Sequence, residues 1–387
     1  MKHWFLDPVS GPKTGFSKNS PIPDNRRIDN LHLFIFLRIE KELIPIVAWF
    51  NKRNQDPDIV LRYAKKRKAD KDVSLLIRRN KQELISINPE ISLPLASTVK
   101  IILVIEFARQ VSTGKIDENE RVPKEELLKF YVEKTDGGAH KEWMKEFNRE
   151  TYSLKEIAIG MAAYSSNANT DFLLKYLGIE EVNQMVESLD LQHHSRIYPL
   201  VSSLYICNYV SFNEKITKKK EQLERMKNMT SEEYIRYSLL IHDHMANEDK
   251  KEYMEQLNLY YDLQKIWSDR LPAGSATDYA SLMEMINDGN YFDEKMQSGI
   301  EGILGYSIFK NEKNREWIER GGVKGGSTLF VYTYASYTTD KDGNQTVIIF
   351  LSNNLNILTL KKLQTNFNLF VLRVLTSGEY RKKIRSE

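Results

Sequence analysis

Pro94-Leu95-Ala96-Ser97-Thr98-Val99-Lys100, running straight into Ile101-Ile102-Leu103-Val104-Ile105-Glu106-Phe107-Ala108, decides how the rest of this chain is read. A serine and a lysine three residues apart at the start of a helix share a face, which puts the lysine nitrogen near the serine oxygen. A serine hydroxyl is a poor nucleophile at neutral pH and needs a neighbour to take its proton. A lysine serves when burial or a nearby positive charge lowers its pKa. The helix that follows is apolar on nearly every side for about two turns, so it is expected inside the molecule with Ser97 and Lys100 at the floor of a cleft. The spacing alone is not diagnostic, because any helix bearing both residue types produces it by accident. Its meaning depends on partners further along.

Two partners follow in order. Tyr164-Ser165-Ser166-Asn167 lies between a helix-like run, Leu154 to Ala163, and another, Thr170 to Leu177, and reads as an inter-helix turn. Lys324-Gly325-Gly326-Ser327 is expected to open an alternating strand-type run, Thr328 to Tyr337. With Ser97 and Lys100 these resemble the three motifs (Ser-x-x-Lys, Ser-x-Asn and Lys-Thr-Gly) of the penicillin-recognising serine hydrolases, the superfamily of class A β-lactamases and DD-peptidases. The resemblance spans about residues 70 to 375 and is strongest around the nucleophile, including Glu106-Phe107-Ala108-Arg109-Gln110 and Gly114-Lys115-Ile116-Asp117.

The resemblance implies roles. Ser97 attacks an acyl carbon and Lys100 takes its proton. Ser165 passes a proton toward the leaving group, Asn167 fixes the substrate amide and the lysine, and Lys324 supplies positive charge. Gly326 and Ser327 border the substrate, with the Ser97 and Ser327 amides holding the oxyanion. No metal or other cofactor is implied. Two departures stand out. The position after the strand lysine, usually Ser or Thr, is Gly325. In Arg196-Ile197-Tyr198-Pro199, Tyr198 occupies the place where class A β-lactamases carry a water-activating Glu, and a phenol with a pKa near ~10 is a poor base for that task. The expectation is therefore a serine acyl-hydrolase acting on β-lactam, D-Ala-peptide or ester substrates, with slow β-lactam deacylation. A non-turnover β-lactam or cell-wall-peptide sensor is the rival reading.

With 387 residues, 41% hydrophobic and 28% charged, the chain has the composition of a globular protein with a large core. A formal net charge of +3 gives no reason to expect nucleic acid, and Lys65-Lys66-Arg67-Lys68, Lys218-Lys219-Lys220 and Arg381-Lys382-Lys383 read as solvated faces. The single cysteine, Cys207, excludes an internal disulfide. Pro8, Pro12, Lys13 and Lys18 interrupt the start, so no export signal is visible in this numbering, whereas the resemblance implies an extracytoplasmic enzyme; the residues leave the compartment open. Leu31 to Phe50 carries Arg38, Glu40, Lys41 and Glu42, which disqualifies it as a membrane span.

The expected fold class is α/β (α+β): one antiparallel sheet built from both chain ends, flanked by helices, with an all-helical half. Residues 1–70 are expected as an N-terminal helical extension and 71–387 as the hydrolase domain, with a helical insertion at about 211–268. Val73 to Arg79 and Glu83 to Ile87 read as a hairpin, and Leu358 to Leu375 as a closing helix. The glycine-bearing loop Thr135 to His140 reads either as a flap with His140 or Trp143 at the cleft mouth or as a surface turn with Trp143 in the core. His242-Asp243-His244 is a poor metal motif, since residues two apart on a helix diverge. Oligomeric state is not legible.

Overall fold

The computed structural model describes residues 55–248 and 251–386; the expected helical segment Leu31 to Phe50 lies outside them. Its main sheet comprises β1 (Val73–Arg79), β2 (Gln82–Ile87), β3 (Ile318–Ser327), β4 (Tyr332–Asp340) and β5 (Gln345–Ser352), in the spatial order β2-β1-β5-β4-β3. Every neighbouring pair is antiparallel. The helices that matter here are α1 (Asp58–Lys66), α2 (Lys100–Ser112), α3 (Leu154–Ala162), α4 (Asn167–Leu177), α5 (Ser231–Ala246), α6 (Tyr261–Asp269), α7 (Ala276–Asp288) and α8 (Ile357–Thr376).

The sheet is covered on both faces, which explains strands that read as continuous apolar runs. Side chains alternate across a strand, and β5 divides accordingly. Val347, Ile349 and Leu351 enter one core with α2, α3 and α7. Ile348 and Phe350 enter the other with α1 and α8. The β1–β2 turn needs positive φ at both central residues, met by Asn80 (51°) and Lys81 (64°), the geometry that matches strand twist. Helix α7 starts on Ser275, whose hydroxyl accepts from the Asp278 amide, and stops at Gly289 with φ 80°.

At the motif lysine the strand assignment changes. Lys324-Gly325-Gly326-Ser327 closes β3 instead of opening a strand, and the run expected from Thr328 to Tyr337 is broken. Thr328 Oγ1 accepts from the Phe330 and Val331 amides, both at 3.1 Å, and its own amide donates to Val331 O at 3.0 Å. A hydroxyl that takes over these backbone donors makes a turn, and alternation by itself does not reveal it. Arg121–Pro123 and Thr151–Ser153 pair as two short strands.

Residues 196–272 form a helical excursion whose ends meet. The Ser195 amide donates to Ala273 O, and the Ala273 amide to Ser195 Oγ, each at 2.8 Å. Ala273 pairs in turn with Pro94, and the Leu95 amide donates to Pro272 O at 2.9 Å. The excursion is thus closed two residues from Ser97. Its N-cap at Thr230, accepting from the Glu233 amide at 3.1 Å, starts α5. No helix among the described residues is long and apolar enough to cross a membrane.

The turn that carries Ser97 is held to the sheet through threonines. Thr98 Oγ1 and Thr333 Oγ1 are 2.7 Å apart, and Thr333 Oγ1 also donates to Leu95 O at 2.8 Å, all buried. Replacing Thr333 with Val keeps the shape and leaves Leu95 O and Thr98 without this partner. Equilibrium denaturation is expected to show a loss of about 1–3 kcal/mol, and a change within a few tenths would show that these bonds do not anchor the turn.

Candidate active site

Ser97 sits in a 3₁₀ turn, Ala96–Val99, that passes into α2 at Lys100. Ala96 has φ 46°, a region that costs an alanine free energy and persists only where surrounding structure enforces it. The enforcement is visible. Leu95 is held by Pro272 and Thr333, Thr98 by Thr333, and Gly326 of β3 lies against the Ser97 backbone, so that a Cβ built on it would fall 2.4 Å from Ser97 N. Ser97 itself is half-buried.

Lys100 is fully buried, yet its Nζ does not hydrogen-bond Ser97. It donates to Ser165 O and Asn167 Oδ1, each at 2.9 Å, and lies 3.5 Å from Ser165 Oγ and Ser166 O. An ammonium removed from water must satisfy its donors, and the carbonyl-type oxygens of the 165–167 turn are the strongest acceptors in reach. Burial pulls the Lys100 amine down to about 7, with the charges of Asp136 and Asp171 opposing. An amine in that range exists partly as free base at neutral pH, the state a general base requires.

Lys324, also buried, donates to Ser165 Oγ at 3.1 Å and to Gly325 O at 2.8 Å. Burial, reinforced by the positive charge of Lys100, holds its amine well below the ordinary lysine range. Ser165 Oγ therefore lies between two amines of lowered proton affinity. Its backbone is held at φ 69°. A hydroxyl in that position can accept from one amine while donating elsewhere, which is what a proton shuttle needs. Asn167 begins α4, and Ser166 caps that helix by accepting from the Asn169 amide at 3.2 Å.

The loop from Thr135 to His140 backs this turn. Asp136 accepts from the Gly138 and His140 amides at 3.0 and 2.9 Å, His140 Nδ1 lies 2.9 Å from Ser166 Oγ, and Asn167 Nδ2 donates to Thr135 O at 3.4 Å. His140 and Trp143 are buried, so neither stands at a cleft mouth. Ser327, at the end of β3, is exposed. Tyr198 lies apart from this cluster: buried, its hydroxyl donates to Arg270 O and its ring meets Tyr234 edge-on at 6.0 Å. It makes no hydrogen bond to Ser97, Lys100, Ser165 or Lys324. Burial raises its phenol far above the ordinary range, with Tyr234 adding to the effect and Arg270 opposing it.

His242 and His244 point to different partners. His242 Nδ1 is 3.3 Å from Ser202 Oγ, and His244 Nδ1 is 2.7 Å from Tyr253 OH. Among the described residues no cluster of three or more His, Cys, Asp or Glu suits a metal. The sequence reading missed Asp136, Asp171 and Thr333. Asp171 carried a usable signal, a carboxylate four residues after Asn167 and followed directly by Phe172-Leu173-Leu174.

The model of the beta-lactamase enzyme family matches residues 60–321, about two thirds of the chain. This chain belongs to the beta-lactamase enzyme family. The matched segment includes Ser97, Lys100, Ser165 and Asn167 and stops short of Lys324, whose place beside Ser165 rests on the geometry above. No curated protein matches the chain by sequence. Among solved structures it is similar to a β-lactamase from Sphaerobacter thermophilus, at 15% identity and TM-score 0.50, covering 84% of this chain and 98% of that one. It is also similar to the class A β-lactamase of the last common ancestor of Gram-negative bacteria, at 10% identity and TM-score 0.50, covering 82% and 99%. Identities this low speak to the fold alone, which is that of β-lactamases and transpeptidases.

Gly326 gives the sharpest local test. Gly326→Ala places a methyl against the Ser97 amide and must displace the nucleophile turn. The rate of covalent labelling at Ser97 is expected to fall at least about 100-fold, as when an oxyanion donor is lost, with thermal stability reduced far less. Labelling at the unmodified rate would show that the strand does not set the position of the nucleophile.

Proposed function

We propose that this member of the family is a serine acyl-hydrolase in which Ser97 forms an acyl-enzyme, Lys100 is the base, and Ser165 carries the proton to the leaving group. Its substrates are β-lactams, D-Ala peptides or esters. The observation that carries this reading is Ser165 Oγ suspended between the buried amines of Lys324 and Lys100, one turn of chain from Ser97 held against β3. In acylation, Ser97 Oγ bonds to the acyl carbon and its proton passes to Lys100. The tetrahedral oxyanion is held by the Ser97 and Ser327 amides. As the bond to the leaving group breaks, Ser165 donates a proton to it and is resupplied from the lysines. Lys324, which donates to Ser165 Oγ, is placed to return the proton that Ser165 gives up.

Deacylation of β-lactams is slow in this proposal. Tyr198 is a buried phenol committed to a backbone carbonyl and offers no base to water, and general-base assistance is worth roughly 10²–10⁴-fold. That same observation favours a second reading, a sensor that is acylated and does not turn over. Intact-mass spectrometry through a time course with a fluorescent penicillin distinguishes the two. An adduct decaying within the experiment indicates a hydrolase, and a permanent one a sensor. Ser97→Ala is expected to abolish the adduct while leaving the fold intact, and an adduct persisting in that variant would move the nucleophile elsewhere.

The pH dependence of acylation follows from the state of Lys100. The base must be unprotonated, so the rate is low below the lysine's pKa and rises through it. With the amine drawn down to about 7, the acid limb of the labelling rate is expected to have its midpoint near that pH. A rate still climbing at pH 10 would mean that Lys100 retains an ordinary lysine pKa and is not the base.

A further inference from the structure

We infer that the helical layer across the sheet from α2 is a docking surface for an anionic lipid bilayer. The layer consists of α1, α8 and α9 (Gly378–Ser386), which share one core with Ile348 and Phe350 of β5, whereas α2 packs into the other. Residues 56–72 and 357–386, which form or flank these helices, carry thirteen Lys or Arg and five Asp or Glu. The whole chain is only +3, so the rest of it is net negative and the positive charge is gathered here. Along the sequence these are separate basic runs that read as solvated faces; the fold lays them side by side.

Ion pairs within the layer engage part of that charge: Arg62 with Asp56, Arg67 with Asp72, and Lys383 with Asp58. Lys66, Lys362, Arg373 and Lys382 are exposed and pair with no carboxylate among the described residues. Arg385, also exposed, donates to Gln82 Oε1 at 2.9 Å. Such a field attracts any polyanion, and α8 supplies the observation that selects a lipid. Leu358, Lys362, Leu369 and Arg373 fall within about 60° of one another around the helix axis. Leu358 is 65% exposed, more than any other large apolar side chain among the described residues, and Leu369 is half-buried. A stripe mixing leucine with lysine and arginine suits the boundary of a bilayer, with cations at the phosphates and apolar tips just below them. A nucleic-acid backbone offers the leucines nothing, and among the described residues of the layer no exposed aromatic ring is present to stack on a base. Because α2 lies across the sheet, docking through this layer leaves Ser97 uncovered.

Co-sedimentation of the full chain with vesicles tests this without any activity. Binding is expected to vesicles of equal parts phosphatidylcholine and phosphatidylglycerol. It is expected to vanish with phosphatidylcholine alone, or at high salt, where screening shortens to a few ångström. In the variant combining Lys362→Glu, Lys382→Glu and Arg385→Glu the partition coefficient is expected to fall at least about 100-fold. A variant combining Lys145→Glu, Lys215→Glu and Lys227→Glu makes the same change in net charge at exposed positions of the helical half, and its partitioning is expected to fall far less. Should the first combination not fold by circular dichroism, Lys362→Glu alone is expected to cost about 10-fold. Leu358→Ser, with charge unaltered, is expected to weaken binding about 3-fold. Equal sedimentation with uncharged vesicles, an equal fall in both combined variants, or no effect of Leu358→Ser overturns the inference. So does an unmodified protein that stays in solution with the anionic vesicles, or one that binds duplex DNA more tightly at the same ionic strength.

Discussion

Two lysine amines buried on one serine hydroxyl are the constraint on which this structure depends. Taking an ammonium out of water is expensive, and the cost falls only if its donors are satisfied or its proton is given up. Lys100 uses both routes: oxygens of the 165–167 turn surround it, and its proton affinity drops. Lys324 has a hydroxyl and a carbonyl for partners, and the charge of Lys100 acts against its own protonation. Burial of the pair lowers its proton affinity, and a lysine that is partly free base at neutral pH is what the function proposed for Ser97 requires.

Much of the surrounding architecture serves to keep these groups where burial puts them. The Thr98–Thr333 contact, the seat of Gly326 against Ser97, and the closure of Ser195 on Ala273 all converge on the few residues around Ala96, whose backbone is held at positive φ. On the opposite wall the Asp136 loop and the Ser166 cap fix the turn that carries Ser165 and Asn167. The helical excursion is wired into both walls, through Pro272 on the nucleophile side and through Asp171 on the other. Its attachment makes it part of the site's framework and not an appendage.

How much of this was readable beforehand differs from element to element. The hairpin Val73 to Ile87 and the closing helix are local features, specified by turn residues and periodicity, and they form close to where those signals fall. The strand bearing Lys324 was misjudged because Gly321, Gly322, Gly325 and Gly326 erase its alternation, and because the Thr328 turn is made by one hydroxyl rather than by Gly or Pro.

By itself the sequence determined the order and spacing of the candidate residues: Ser97 and Lys100 three apart on a helix start, Ser165 and Asn167 in a turn, Lys324 beside small residues that let a strand approach closely. Tertiary structure alone decided the partnership between them. Lys100 turns toward Ser165 and Asn167 because the acceptors that satisfy a buried ammonium lie 65 and 67 positions away in the chain. Tyr198 turns inward onto Arg270, 72 positions away, so its distance from the site comes from packing and not from its place beside Pro199. The link from Asp171 to residues 200–202 likewise exists only once the chain has closed on itself. Spacing specifies which side chains share a face, whereas hydrogen-bond satisfaction in a dry interior depends on what the rest of the chain brings to that face.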